Sequence, residues 1–109
     1  MKKVMLLAPE RICDILRDAL EYKYIPLPCS DAGAAKEILL SEPDVLILSL
    51  ALPGRDGLAF LRENAASLPP KVIVLTAFFD DAILSELVEM GVSCVIRIPC
   101  KLAYLEQKI

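Results

Sequence analysis

The chain contains no histidine, which removes the commonest general base and a leading metal ligand together. Its four cysteines, Cys13, Cys29, Cys94 and Cys100, form no C-x-x-C pair, and Cys13 and Cys94 sit among apolar neighbours. They read as buried, reduced thiols of a cytosolic protein, and no zinc or other metal site is expected. No apolar run approaches the roughly 18 to 20 residues that a membrane span needs. After Lys2-Lys3 only a short apolar run precedes Pro9-Glu10. That leaves no room for the apolar region of a secretory leader, and no small-residue cleavage site follows. A cytoplasmic protein without membrane contact is therefore expected. No run of one charge sign and no basic stripe occurs, and the formal net charge is −3, so direct nucleic-acid binding by this domain is not expected. No internal repeat, linker or low-complexity tract interrupts the 109 residues. They fit a single domain, 1–109, and the short final helical stretch suits a domain that is part of a longer protein.

What is present is apolar and regular. Hydrophobic residues make up 56% of the chain and charged residues 25%, which suits a sheet buried on both faces. Five short β-rich runs stand out: Val4 to Ala8, Tyr24 to Leu27, Val45 to Leu48, Val72 to Leu75, and Cys94 to Ile98. The third and fourth are apolar throughout, as parallel strands covered on both faces should be. Pro26 cannot donate to a ladder, so the second run belongs on a sheet edge.

Helical spacing fills the intervals. Ile12, Ile15, Leu16, Ala19 and Leu20 form the first stripe, with Pro9 suited to the first turn. The second stretch opens at Ser30 or Asp31 as N-cap and carries Ala35, Ile38 and Leu39 on one face. The third starts at Asp56 and carries Leu58, Leu61 and Ala65. The fourth starts near Asp80 or Asp81, with Ile83, Leu87 and Met90 on a stripe and Leu84 and Val88 beside it. The last, Lys101 to Ile109, turns Leu102, Leu105 and Ile109 inward and leaves Ala103 and Tyr104 outside. Glu42-Pro43 and Leu68-Pro69-Pro70 end helical stretches before the third and fourth runs. Five βα units in strict alternation predict an α/β fold: a doubly wound, five-stranded parallel sheet of order 2-1-3-4-5 with helices on both faces.

In such sheets ligands meet the carboxyl ends of the strands near the switch point. Those ends are Ala8-Pro9-Glu10, Ser49 to Ala51, Thr76-Ala77 and Ile98-Pro99. The order and spacing of Asp44-Val-Leu-Ile-Leu-Ser49, Leu52-Pro53-Gly54-Arg55-Asp56-Gly57, Leu75-Thr76-Ala77, Gly91 and Pro99 resemble the bacterial response-regulator receiver domain, across essentially the whole chain. That resemblance implies a CheY-like, flavodoxin-like fold and a place in two-component signal transduction or a phosphorelay. It also implies a set of site positions that this sequence departs from. An acidic pair that holds magnesium falls at Ala8 and Pro9, with Glu10 just beyond. The phospho-acceptor aspartate falls at Ser49, and the lysine that precedes a cis proline falls at Ile98. The aromatic switch position falls at Val95. Only Thr76 matches a functional position of the family.

The departures agree chemically. Magnesium wants carboxylate oxygens, which Ala8 and Pro9 lack. Serine is not ionised at neutral pH, and no histidine is available to activate Ser49. A lysine stripped of acidic partners would be a costly charge, which Ile98 avoids. Glu10 reads as a helix N-terminal acid. Phe78-Phe79 follow the fourth run, with at least one ring expected in the core.

The resemblance therefore points to an atypical, degenerate pseudo-receiver, without enzymatic activity or cofactor. It would serve as a phosphorylation-independent signalling or protein-interaction module, through the face built from the fourth helical stretch, the fifth run and the fifth helical stretch. Leu84, Val88, Ala103 and Tyr104 are the candidate contacts, and the partner is a second copy, another protein or a covalently linked output domain. The alternative is a small-molecule sensor that uses the neutralised cleft. A phosphotransfer enzyme on the same frame is not expected, because Ala8-Pro9-Glu10-Arg11-Ile12 is not a phosphate-cradling loop.

Overall fold

A computed structural model describes residues 1–29, 31–52, 55–78 and 80–109, with the side chains at 32, 52, 55 and 56 left out of the description. The elements are β1 (Lys3–Leu7), α1 (Glu10–Leu20), β2 (Ile25–Cys29), α2 (Ala32–Leu39), β3 (Val45–Ser49), α3 (Gly57–Glu63), β4 (Lys71–Thr76), α4 (Asp81–Glu89), β5 (Cys94–Arg97) and α5 (Leu102–Lys108). A two-residue antiparallel pair, Ala51–Leu52 with Arg55–Asp56, separates β3 from α3, and a 3-10 turn at Ala65–Ser67 follows α3. The five main strands lie parallel in the order β2-β1-β3-β4-β5, as the alternation of runs predicts. Among the described residues no helix is long and apolar enough to cross a membrane.

The sheet is buried on both faces because successive side chains point to opposite sides. Val4, Leu6, Val45, Ile47, Ile73 and Leu75 face one core, closed by Leu16 and Leu20 of α1 and Leu105 of α5. Met5, Leu7, Leu46, Leu48, Val72 and Val74 face the other, closed by α2, α3 and α4 through Leu39, Phe60, Leu61 and Leu87. Each fully buried side chain of this size contributes about 1.5–3 kcal/mol. That explains why apolar runs without alternation mark these strands.

β2 is an edge strand, and its prolines fall where they do least harm. Ile25 N donates to Lys2 O at 2.9 Å and Cys29 O accepts from Ala8 N at 3.3 Å. The odd-numbered residues therefore bond β1, and Pro26 and Pro28 occupy the outward positions. A missing N–H there costs no ladder bond and blocks the addition of another strand.

Several sequence-based expectations need correction. β2 runs to Cys29 rather than ending at Leu27. Pro9 is the N-cap of α1 rather than a first-turn residue. The buried stripe of α1 is Cys13, Leu16 and Leu20, and Ile15 is 52% exposed. Helical spacing allows both stripes, and the apolar thiol of Cys13 takes the place nearer the sheet. Leu102 is 43% exposed although Leu105 and Ile109 are buried, because it lines a groove between α1 and α5 instead of entering the core. Ala65 lies beyond α3, exposed in the 3-10 turn. Asp31 caps α2 by accepting from Gly33 N at 2.7 Å, and Ser30 lies outside the described residues. Asp80 caps α4 through Ala82 N and Ile83 N, at 2.8 and 3.3 Å. Asp56 directly precedes α3, but its side chain, and with it any capping bond, lies outside the description, as do Pro53, Gly54 and Phe79.

Candidate functional site

The carboxyl ends of β1, β3, β4 and β5 bring Ala8, Ser49, Thr76 and Ile98 to one edge of the sheet. Ala8 is fully buried, its amide bound to Cys29 O. The thiol of Cys13 lies beneath it, 3.3–3.5 Å from the carbonyl oxygens of Leu6, Ala8 and Cys29. Burial is the chief reason that thiol is pushed above its ordinary pKa, so it stays protonated and inert. Burial does the same to Cys29. All four cysteines are free. Pro9 is half-buried, and Glu10, the first residue of α1, is exposed.

Ser49 ends β3 and is 2% exposed. Its hydroxyl donates to Ala51 O at 3.3 Å, a long bond that stays within its own loop. Gly57 makes this packing possible. A Cβ on Gly57 would sit 2.6 Å from Ser49 O and 2.9 Å from Leu50 Cα, so α3 can begin against the end of β3 only with glycine there. Gly57 N in turn donates to Leu50 O at 3.0 Å.

Thr76 ends β4, buried, and its hydroxyl is committed twice to the following loop. It donates to Phe78 O at 3.0 Å and accepts from Phe78 N at 3.1 Å. That small turn holds the Phe78 ring out at 82% exposure, at the mouth of the cleft. Ile98, half-buried, follows β5, its amide bonded to Thr76 O at 2.9 Å. The Ile98-Pro99 peptide is cis.

Ser49, Thr76, Phe78 and Ile98 line a cleft of about 310 Å³ whose other walls include Leu58, Leu75, Ala77 and Ile83; Ala8 lies outside its lining. No charged side chain lines it among the described residues. The reactive possibilities are correspondingly few: one buried serine hydroxyl, one self-satisfied threonine and apolar walls. Among the described residues no three His, Cys, Asp or Glu side chains gather where they could hold a metal ion.

The candidate contact residues lie elsewhere. Val88, Ala103 and Tyr104 are exposed and Leu84 is half-buried. Tyr104 carries Lys108 Nζ at 5.2 Å from its ring centre, a cation–π contact one helical turn apart. Sequence reasoning missed two parts of the site, the close approach at Gly57 and the apolar groove that continues from the cleft toward α1. A glycine at a helix start, where alanine is the better helix former, was the available signal for the first.

No family model matches the chain. Its backbone superimposes closely on solved receiver domains. The non-phosphorylated HemR receiver domain from Leptospira biflexa matches with a TM-score of 0.87 at 19% identity, covering 99% of this chain and 90% of that one. The N-terminal domain of the nisin resistance regulator NsrR gives 0.83 at 23%, covering 99% and 94%. The BeF3-activated N-terminal receiver domain of RstA from Klebsiella pneumoniae gives 0.81 at 23%, covering 98% and 93%. The chain has the receiver-domain fold.

Proposed function

We propose that this chain is a pseudo-receiver, a signalling module that takes up no phosphoryl group and acts through phosphorylation-independent protein contacts. The observation that supports it is the neutral cleft. Ala8, Ser49 and Ile98 meet at the edge where a phosphoryl-accepting receiver would need carboxylates and a lysine. Loss of both signs together is coherent, because either one left alone near buried strand ends would be a costly unpaired charge. A buried serine bonded to its own loop has no base to activate it. The chain has no enzymatic activity of its own on this reading.

Its working surface is the face of α4, β5 and α5. Val88 and Tyr104 offer exposed apolar area there, with Leu84 and Ala103 beside them, and an exposed tyrosine suits a contact hot spot. The partner is a second copy of the chain, with a linked output domain or another protein as the alternatives. Sedimentation equilibrium across a wide concentration range tests this. A dimer without any phosphoryl donor is expected, weakened by about 1 kcal/mol or more in Tyr104→Glu. An unchanged association constant in that variant removes this face from the account.

A further inference from the structure

The cleft beside Ser49 does not stop at Ile98. A second groove, of about 490 Å³, opens between α1 and α5, and Leu75, Ala77 and Ile98 line both. From Phe78 and Ile83 at one end to Ile12 and Leu102 at the other, every described lining residue is uncharged. Three other surface clefts differ: each is lined by charged side chains, among them Lys36 with Glu37, Asp31 with Glu37, and Glu42 with Asp44. Ile98 joins the two apolar halves together with Leu75 and Ala77. A lysine at that place would put an ammonium group across the middle of the trough.

We propose that this trough is a binding site for an elongated, neutral, largely apolar small molecule with one hydrogen-bond donor directed at Ser49 Oγ. Both halves fall within the roughly 300–1,000 Å³ typical of small-molecule sites. The absence of charged walls among the described residues disfavours anions and cations alike, since either would lose hydration without gaining a counter-charge there. Ser49 is the hydroxyl left to orient a ligand. Its hydrogen goes to Ala51 O in a long bond, whereas the Thr76 hydroxyl is used in both directions by Phe78. Ser49 and Leu75 lie at the floor of the cleft, at 2% and 3% exposure, out of reach of the face of another protein.

The site rests on the neutralised strand ends proposed above, but its test involves no metal, phosphoryl donor or partner, so the two readings fail separately. The probe is N-phenyl-1-naphthylamine, a neutral two-part aromatic with a single N–H. Its sulfonated relative 1-anilinonaphthalene-8-sulfonate keeps the skeleton and adds a charge. Fluorescence titration of the purified chain should show saturable one-to-one binding of the neutral probe and binding of the sulfonate about tenfold weaker or more. Ile98→Lys should weaken the neutral probe about tenfold, and Ser49→Ala by about threefold. Leu102→Glu, at a half-exposed rim position that tolerates charge, should also weaken it and serves if Ile98→Lys does not fold. Equal affinity for the two probes overturns the proposal, as does unchanged binding in folded Ile98→Lys or Leu102→Glu. Probe binding that declines in step with dimerisation overturns it in favour of a second copy covering the trough.

Discussion

At the amino-terminal end of the sheet, charged side chains are tied to backbone. Lys2 Nζ and Lys71 Nζ both donate to Ile109 O, at 3.3 and 3.0 Å. Asp44 Oδ2 accepts from Lys3 N at 2.8 Å, and Lys3 Nζ reaches Ser41 O. At the carboxyl-terminal end Ala8, Ser49 and Ile98 stand instead, and the cleft that Ser49 and Ile98 border has no charged lining among the described residues. In open α/β sheets the carboxyl end is where ligands are handled, so charge placed there is generally functional, whereas charge at the amino end only ties strands and turns together. Exposed or half-buried lysines and carboxylates at the amino end cost little. Charges at the carboxyl end would be partly desolvated and cost more.

The contrast can be broken first at its hinge. Gly57→Ala forces a Cβ into the backbone at Ser49 and Leu50 and should destabilise the fold by about 3 kcal/mol, read from urea midpoints. A loss under about 1 kcal/mol would mean that the carboxyl edge yields readily and its packing is not fixed as described.

Returning one charge to the neutral end should cost somewhat less. Ser49→Asp should lower stability by about 2 kcal/mol at neutral pH. Burial raises the new carboxyl's folded pKa above its unfolded value, so the folded state binds the extra proton. The deficit is then full above the raised pKa and shrinks as pH falls through it. The same variant should not label with acetyl phosphate, because the acidic pair and the lysine are still missing. Labelling would show that the neutral end retains more of the receiver chemistry than its side chains suggest.

The smallest effect sharpens the amino-end side and has the opposite sign. Glu42 follows α2 with φ of 53°, the left-handed conformation that glycine adopts freely at a helix C-terminus. Its amide bonds Leu39 O at 3.0 Å. Glu42→Gly should stabilise the chain by about 0.5–1 kcal/mol. A loss of stability would mean that the glutamate side chain does more at that end than occupy a turn.

Much of the frame was legible because it rests on periodicity. Five apolar runs and the proline at Pro26 predict five parallel strands with the second at the edge, and the sheet has that order. The helix faces were legible only to within a rotation. Ile15 and Leu102 satisfy helical spacing as well as their buried neighbours do, and the choice depends on how α1 and α5 sit on their shared face. They diverge enough to leave a groove, so both residues line it instead of filling the core. The two-residue strand pair after Ser49 is too short for any period to reveal. The placement of Ala8, Ser49 and Ile98 at the carboxyl ends of strands was readable from the alternation of runs. The bonds of Thr76 to Phe78 and the continuity of the cleft past Ile98 were not, because both depend on loop conformation.

The central claim is that the carboxyl end no longer takes a phosphoryl group. The RstA receiver domain, which shares this fold, is known in a BeF3-activated form, so the same mimic gives the most direct test. Amide spectra of isotopically labelled chain, recorded with increasing beryllofluoride and magnesium, should remain unchanged throughout. Saturable shifts centred on Ser49 and Thr76 would contradict the account and restore this edge as a phosphoryl site.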